Sequence, residues 1–319
     1  MKISEQKEFL LKLLKTQDIS KLNEFIDSGG NVNVKLNNAK QTILDLAVSE
    51  DKYDLVKQLI ENGADVNVQN HSGSTPIFSV KSINVAELLI KSGADLKATN
   101  KKGYSILYYL ISSQEKELTA YLSEQMGEKW NIDELRKVEP MDEEQYWKIV
   151  EKNYRSARGD ESIQASSIVR ELMFNNPTVI ISFQKRTYQL ANLAHTSNLW
   201  AAAYVINGGC SDDSFKDFKH WVISLGKSAF YRCVKTPDNL IPYIEKKAYY
   251  HNYSNVDCPG IAYVARMAYE YRTGLDNFYE VLDYSNVTDL RIDFELDWDE
   301  NSIETKRTVF PMLWEKYWV

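Results

Sequence analysis

Apolar residues recur at helical spacing in the first third of the chain. The segment 55–60 carries them at i, i+1, i+4 and i+5, and the segments 21–26 and 85–90 resemble it. This spacing places apolar side chains on one face of an amphipathic helix. A glycine follows each segment, and a left-handed residue at the end of a helix costs least without a Cβ. The pattern therefore predicts three similar helices, each closed by a glycine.

The turns after these helices are near copies of one another. They run SGGNVNV at 28–34, NGADVNV at 62–68 and SGADLKA at 92–98, and a second landmark, TILDLA at 42–47 and TPIF at 75–78, begins the next helix. Together the landmarks resemble the ankyrin repeat, with its T-P-L-H-x-A signature and its period of about 33 residues. The resemblance implies a stack of helix pairs with protruding turns, used to bind other proteins.

The repeats depart from the ankyrin pattern at specific residues. Asp45 and Phe78 stand where the signature has His, so we expect the helix cap credited to that His to be altered or absent. The third repeat is three residues short between its helices. A weaker fourth repeat, Tyr104 to Gly127, has Gln125 in place of the glycine, as expected of a terminal repeat.

The protruding turns are the predicted binding surface. Their tips lie near 37–40, 70–72 and 100–102 and consist of polar residues. We expect a protein partner to contact seven of them: Asn38, Lys40, Asn70, His71, Asn100, Lys101 and Lys102. Because loops are normally polar and lie at the surface, the alternative is that these turns are solvated and have no partner.

Helical patterns with clear start signals continue beyond the repeats. A charged segment, 127–140, breaks the period and is predicted to be a short linker. Asp142 with Gln145 then suits a capping box. Asn176–Pro177 places Pro at a first helical position, and the residues 211–213 place a cap and two carboxylates at a helix N-terminus.

The end of the chain adds one predicted strand to the helices. A helix is expected over 261–273, and the alternation at 293–298 predicts a half-buried strand. A last helix places five apolar residues on one face: Val309, Phe310, Leu313, Trp314 and Tyr317. The chain is therefore predicted to be mostly α, with an ankyrin-type solenoid over residues 1–126 and a separate, mainly helical domain with little strand over 141–319.

The C-terminal domain carries a second resemblance. The segment LWAAAYVINGGCSDDSF at 199–215, continuing to Gly226, is distinctive, and Tyr146–Trp147 and Pro311–Trp314 bracket it. These residues resemble the uncharacterised bacterial family called domain of unknown function 4240, over about residues 141 to 318. The resemblance implies a small, largely helical bacterial domain and carries no established activity.

The turn between two helices of this domain is the local candidate for a ligand site. Its paired glycines allow close backbone approach, and the free amides of the next helix attract anions, although the two carboxylates there repel phosphate. The candidate pocket comprises eight residues: Trp200, Tyr204, Gly208, Gly209, Cys210, Asp212, Asp213 and Trp221. The alternative is an ordinary helix corner with a well-capped second helix and aromatic residues that belong to the core.

Other chemistry finds little support in the sequence. Cys210 as a nucleophile would need a base, but His220 lies about 13 Å along the same helix, which leaves His195 as a possible partner. The four histidines form no zinc-type pair. The acidic alternation at 293–299 lacks the Gly and distal Glu of an EF-hand loop, so a solvated strand face is preferred. We predict no catalytic residue, metal site or cofactor.

Composition and charge favour a binding protein. The 44% hydrophobic and 12% aromatic content is typical of globular proteins, and the net charge of −7 resides mainly beyond residue 126. No excess of cations is available to track phosphates, so general nucleic-acid binding is disfavoured. The three cysteines form no CxxC pair and suit a reducing compartment. No secretory signal and no apolar run of the ~18 residues that cross a bilayer is evident, so we expect a soluble, cytoplasmic protein.

Our leading hypothesis is a non-enzymatic binding or regulatory protein. The solenoid would engage a protein partner, and the acidic domain would add a second surface. In one version the chain is an immunity-type inhibitor whose acidic domain meets a basic toxin. The alternative is an enzyme or small-molecule sensor with its pocket at the Gly208–Asp213 turn. The oligomeric state is left open.

Overall fold

The chain divides into two compact units, Met1–Lys129 and Trp130–Val319. Helix pairs build the first of them, the N-terminal unit. In this computed structural model the described residues are 1–251, 260–282 and 310–317, with Ser302, Glu304 and Arg307, and side chains are not described for 247–251. The N-terminal unit, described throughout, contains α1 (Ile3–Thr16), α2 (Ile19–Asp27), α3 (Ile43–Ser49), α4 (Tyr53–Glu61), α5 (Ile83–Lys91), α6 (Ile106–Ser112) and α7 (Lys116–Gln125). The shortened third repeat opens with a four-residue 3₁₀ turn, Pro76–Ser79, in place of an α-helix.

A left-handed glycine ends the second helix of every repeat in this unit. Gly29, Gly63 and Gly93 have φ angles of 79°, 83° and 88°, and Gly127 has 81°. Gly127 follows α7 at the same distance as Gly63 follows α4, and its N–H donates to the Glu124 carbonyl oxygen at 2.9 Å. The fourth repeat therefore keeps its glycine. The prediction that Gln125 replaces it was wrong, because the alignment was two residues out of register.

The cap at the start of the first helix differs between repeats. In α3, Thr42 and Asp45 cap each other: the Thr42 N–H donates to Asp45 Oδ2 at 2.7 Å, and the Asp45 N–H donates to Thr42 Oγ1 at 3.3 Å. Asp45 thus takes over the role of the signature His, although burial raises the pKa of its carboxyl group. In the third repeat, where Phe78 occupies that position, the buried Thr75 hydroxyl finds no hydrogen-bond partner among the described residues.

Asparagine side chains join each turn to the next. Asn33 donates its amide to the Gly63 carbonyl oxygen at 3.0 Å and accepts from the Asp65 N–H at 2.9 Å. Asn67 repeats both bonds one step further along, to Gly93 at 2.9 Å and Asp95 at 2.8 Å. We call these four bonds the asparagine ladder. It stops at the third turn, where Lys97 occupies the aligned position and has no acceptor to offer.

The C-terminal unit is a cluster of helices packed around α16. Its described helices are α8 (Ile132–Arg136), α9 (Glu143–Ala157), α10 (Glu161–Leu172), α11 (Pro177–Leu193), α12 (Ser197–Asn207), α13 (Asp212–Ser224), α14 (Lys227–Lys235), α15 (Ile241–His251), α16 (Gly260–Thr273), α17 (Phe278–Leu282) and α18 (Pro311–Tyr317), with a 3₁₀ turn at Pro237–Leu240. Helices α10, α11 and α13 all pack against α16. Asp142, Asn176 and Ser211 each cap a helix, as predicted, although Asp142 forms only its own half of the predicted capping box, by accepting from the Gln145 N–H.

Buried polar bonds hold these helices in one arrangement. The Tyr146 hydroxyl and Thr187 Oγ1 lie 2.9 Å apart and join α9 to α11. The Gln164 amide donates to the Ser224 carbonyl oxygen at 2.9 Å and joins α10 to α13. Because unmet buried polar groups are costly, such bonds specify which helices pack together.

The charged segment before Pro140 is more ordered than a linker. It contains α8, whose Leu135 is buried, and α8 packs against α11 and α17. The Arg136 guanidinium donates to the Glu280 carbonyl oxygen at 3.2 and 3.1 Å. These contacts place residues 130–140 with the C-terminal unit.

Helix is the only regular structure among the described residues, which agrees with the predicted mainly helical fold class. The predicted helix at 261–273 is present as α16, and Phe310, Leu313 and Trp314 are buried on or beside α18. Val309 and the predicted strand at 293–298 lie outside the described residues. Within the described part of the chain, no helix has the length and apolarity that a membrane span requires.

Candidate functional site

The three predicted tips form a continuous row. The His71 N–H donates to the Ala39 carbonyl oxygen at 2.7 Å, and the Lys101 N–H donates to the Ser72 carbonyl oxygen at 2.9 Å. Each tip is therefore bonded through its main chain to the next one. We call the residues 37–41, 70–74 and 100–104 the tip row.

Five of the seven predicted contact residues project from the tip row. Asn38, Lys40, His71, Lys101 and Lys102 are exposed. Their side chains are available to a partner without any rearrangement of the turns.

Asn70 and Asn100 have a different role. The Asn70 side-chain oxygen accepts from the N–H groups of Ser72 and Ser74 at 2.9 and 3.1 Å. Asn100 is only 6% exposed, and its side-chain oxygen accepts from the Tyr104 N–H at 3.1 Å. Both side chains shape their own turn instead of facing outwards.

An aromatic cluster that was not predicted from the sequence lies at the third tip. Tyr104 and Tyr108 stack with ring centroids 3.9 Å apart, and Phe78 and Tyr109 meet edge to face at 5.8 Å. The Asn100 amide donates to the Tyr109 hydroxyl at 2.7 Å, which fixes the cluster to the tip row. Tyr109 is 37% exposed. The signal was the run YSILYY, in which Tyr108 and Tyr109 occupy the helix positions that the second repeat fills with Asp45 and Leu46.

The second candidate site, the turn at 208–213, is a tightly capped helix corner. Gly208 ends α12 with φ at 69°. Ser211 caps α13 by accepting from the Ser214 N–H at 3.2 Å. Asp212 and Asp213 are exposed in the first turn of α13, where the helix dipole favours carboxylates. Helix capping thus accounts for these residues.

The aromatic residues predicted to line a pocket at this corner belong mainly to the core. Trp200 is 5% exposed and lies 4.7 Å from the Phe215 ring, and Trp221 is 1% exposed and lies 5.5 Å from the Phe218 ring, both between centroids. Tyr204 is half-buried. The Trp200 indole packs between α12 and α13. Trp221 is buried on α13 and lines a small cavity with Tyr154, Ser224 and Tyr243, and no residue of the 208–213 turn lines that cavity.

Two histidines of this unit, His195 and His220, have described side chains, and both contact other groups. His195 Nδ1 lies 2.9 Å from the Lys219 ammonium and must accept from it. His220 Nδ1 donates to the Lys216 carbonyl oxygen at 2.7 Å on its own helix, and burial lowers the pKa of His220 to about 4. The Cys210 Sγ lies 3.6 Å from the Ser211 carbonyl oxygen. These contacts do not form a nucleophile–base pair.

Comparison with known families decides what the two units are. The family model for ankyrin repeats (3 copies) matches residues 44–134, and the model described as Protein of unknown function (DUF4240) matches residues 141–271. The chain carries ankyrin repeats followed by a DUF4240 domain. Both resemblances drawn from the sequence are confirmed, although the DUF4240 match ends before the Pro311–Trp314 edge. Ankyrin repeats support a role in binding other proteins.

No metal centre emerges from the described residues of either the repeats or the DUF4240 domain. Among them, no three His, Cys, Asp or Glu side chains are grouped so as to hold a metal ion. The buried Cys233 is a poor thiolate candidate as well, because burial raises the pKa of its thiol to about 12.

Alanine substitutions at the corner distinguish a cap from a ligand site. Ser211→Ala should lower the free energy of unfolding of the DUF4240 domain by about 1 kcal/mol, since it removes the cap. Cys210→Ala should change it by less than about 0.5 kcal/mol. Urea unfolding followed by tryptophan fluorescence isolates this effect, because all seven Trp residues lie beyond residue 129. If the Asp212→Ala chain stays folded and stable but loses its function in cells, the corner binds a ligand instead.

His220 should make the DUF4240 domain sensitive to acid. Its pKa in the folded state is lowered to about 4, so the unfolded chain takes up a proton first as the pH falls. The stability is complete above about pH 6.5 and decreases towards pH 4, with a loss of about 2 kcal/mol between pH 7 and pH 5. The free energy of unfolding, measured across this pH range, should not show this decrease in the His220→Gln variant. The His71→Gln variant, which changes an exposed histidine, should still show it. Equal pH slopes in all three chains would contradict the assignment.

Proposed function

We propose that this chain is a binding protein whose tip row engages a protein partner. The observation that carries the proposal is the row itself: three turns, joined by main-chain hydrogen bonds, present five exposed polar side chains. Preorganised turns bind with less loss of conformational entropy than free loops do. The DUF4240 domain adds a second surface, and the assignment of residues 1–126 and 141–319 to separate domains is part of the same proposal.

Site-specific crosslinking tests this role in cells. A photoreactive amino acid at position 38, on the first tip, should capture a discrete protein. The same group at Asn23, an exposed residue of α2, is the matched control and should not. Capture at both positions with equal yield, or at neither, would contradict binding through the tip row.

A narrower version of the proposal is an immunity-type inhibitor of a basic toxin in a bacterial cytoplasm. Its support is the sequence of 283–304, which holds eight Asp or Glu residues and one Arg. Most of that segment lies outside the described residues. Complementary charge accelerates association and selects partners, so a strongly acidic segment favours a basic protein. If an adjacent gene encodes a basic toxin, this chain should suppress its toxicity, and amide replacements at 293, 295, 297 and 299 should weaken the suppression. Full protection by the neutralised chain would rule this version out.

An enzyme or small-molecule sensor centred on the Gly208–Asp213 turn is the less favoured alternative. The caps and core contacts already occupy Ser211, Trp200 and Trp221. A ligand there would have to compete with these interactions.

A further inference from the structure

We infer that the partner segment recognised by the tip row is an acidic peptide with an aromatic anchor, which seats on the cluster of Phe78, Tyr104, Tyr108 and Tyr109. This inference rests on the proposed function and specifies the chemistry of its partner.

The sign of the partner's charge follows from the tip row. Its three segments contain Lys40, Lys101, Lys102 and His71 but no Asp or Glu. The three lysines and His71 are exposed, and no side-chain hydrogen bond or ion pair of Lys101 or Lys102 is present in the described structure. Carboxylates of a partner meet uncompensated cations here, whereas a basic segment is repelled.

The anchor follows from the neighbouring aromatic cluster. The stacked pair of Tyr104 and Tyr108 and the half-exposed Tyr109 stand beside Lys101 and Lys102, on the same turn and the helix that it leads into. Partly exposed rings next to polar groups are typical of the residues that dominate binding energy. An aromatic side chain in the partner gains edge-to-face contacts with these rings while flanking carboxylates reach the lysines.

Charge also decides against a nucleic acid. Lysines beside stacked aromatic rings occur in sites for single-stranded nucleic acids. Phosphate tracking, however, uses many cations along a path, and this row offers three lysines on a chain whose net charge is −7. An acidic protein segment needs only the few contacts that are present.

Selection from a random peptide library displayed on phage tests the inference on the immobilised full chain. The selected peptides should be enriched in Asp and Glu around a Phe, Tyr or Trp. Their affinity should fall about tenfold for the Lys101→Glu, Lys102→Glu double variant. The matched control, Lys12→Glu with Lys57→Glu, reverses two exposed lysines on α1 and α4 and should leave the affinity within about twofold.

Two tyrosine variants test the anchor separately. Tyr109→Phe keeps the ring and should retain binding, whereas Tyr109→Ala should weaken it several-fold. Tyr109→Ala also loses the hydrogen bond from Asn100 and so can unfold the repeat. In that case the Lys101→Glu, Lys102→Glu double variant still tests the inference. If a folded Tyr109→Ala chain binds the peptides as tightly as the unchanged chain does, the aromatic part of the inference is wrong.

The remaining outcomes overturn the inference. They are the selection of basic peptides, binding that ignores the lysine reversal, the absence of any enrichment, or displacement of the peptides by an oligothymidylate. In these cases tip-specific crosslinking in cells would still establish a protein partner of different chemistry. Failure of that crosslinking contradicts the proposed function itself, whatever the library yields.

Discussion

The asparagine ladder is the interaction on which the N-terminal unit depends. One side chain, Asn33 or Asn67, satisfies a carbonyl oxygen and an N–H of the following turn at the same time. A repeat array is stabilised mainly by contacts between neighbours, so a bond pair that recurs at the first two turns sets the register of the three turns that it joins. The tips extend from these turns in that register, and the main-chain bonds from His71 and Lys101 join the three short segments into a single row.

Helix ends matter as much as the core in both units. Left-handed glycines end the second helix of each repeat, and Gly208 does the same for α12. Side-chain caps such as Thr42 and Ser211 accept from the first free N–H groups of the following helices. In the DUF4240 domain, where no repeat sets the arrangement, buried bonds such as that from Gln164 to Ser224 select which helices meet.

The repeated features were predictable from the sequence, whereas the directions of individual side chains were not. Gly63 and its equivalents were found because helix termination demands one residue type at one position. Gly127 was missed because the short third repeat shifts the alignment. Polarity alone placed Asn70 and Asn100 with the exposed tip residues, but an Asn in a turn bonds its own backbone as readily as it faces a partner. The aromatic cluster joins Phe78 to tyrosines of the next repeat, and only the stacked fold brings them together.

The central claim is that the ladder holds the tip row in the arrangement that a partner recognises. Asn67→Ala tests it most directly, because the substitution removes two ladder bonds and changes no residue of the tip row. The account predicts faster hydrogen exchange at the Asp95 amide and a several-fold weaker affinity for peptides or proteins that bind the tips, with Asn23→Ala as the unchanged control. A chain with Asn67→Ala that has lost this protection and still binds its partner as tightly would contradict the claim.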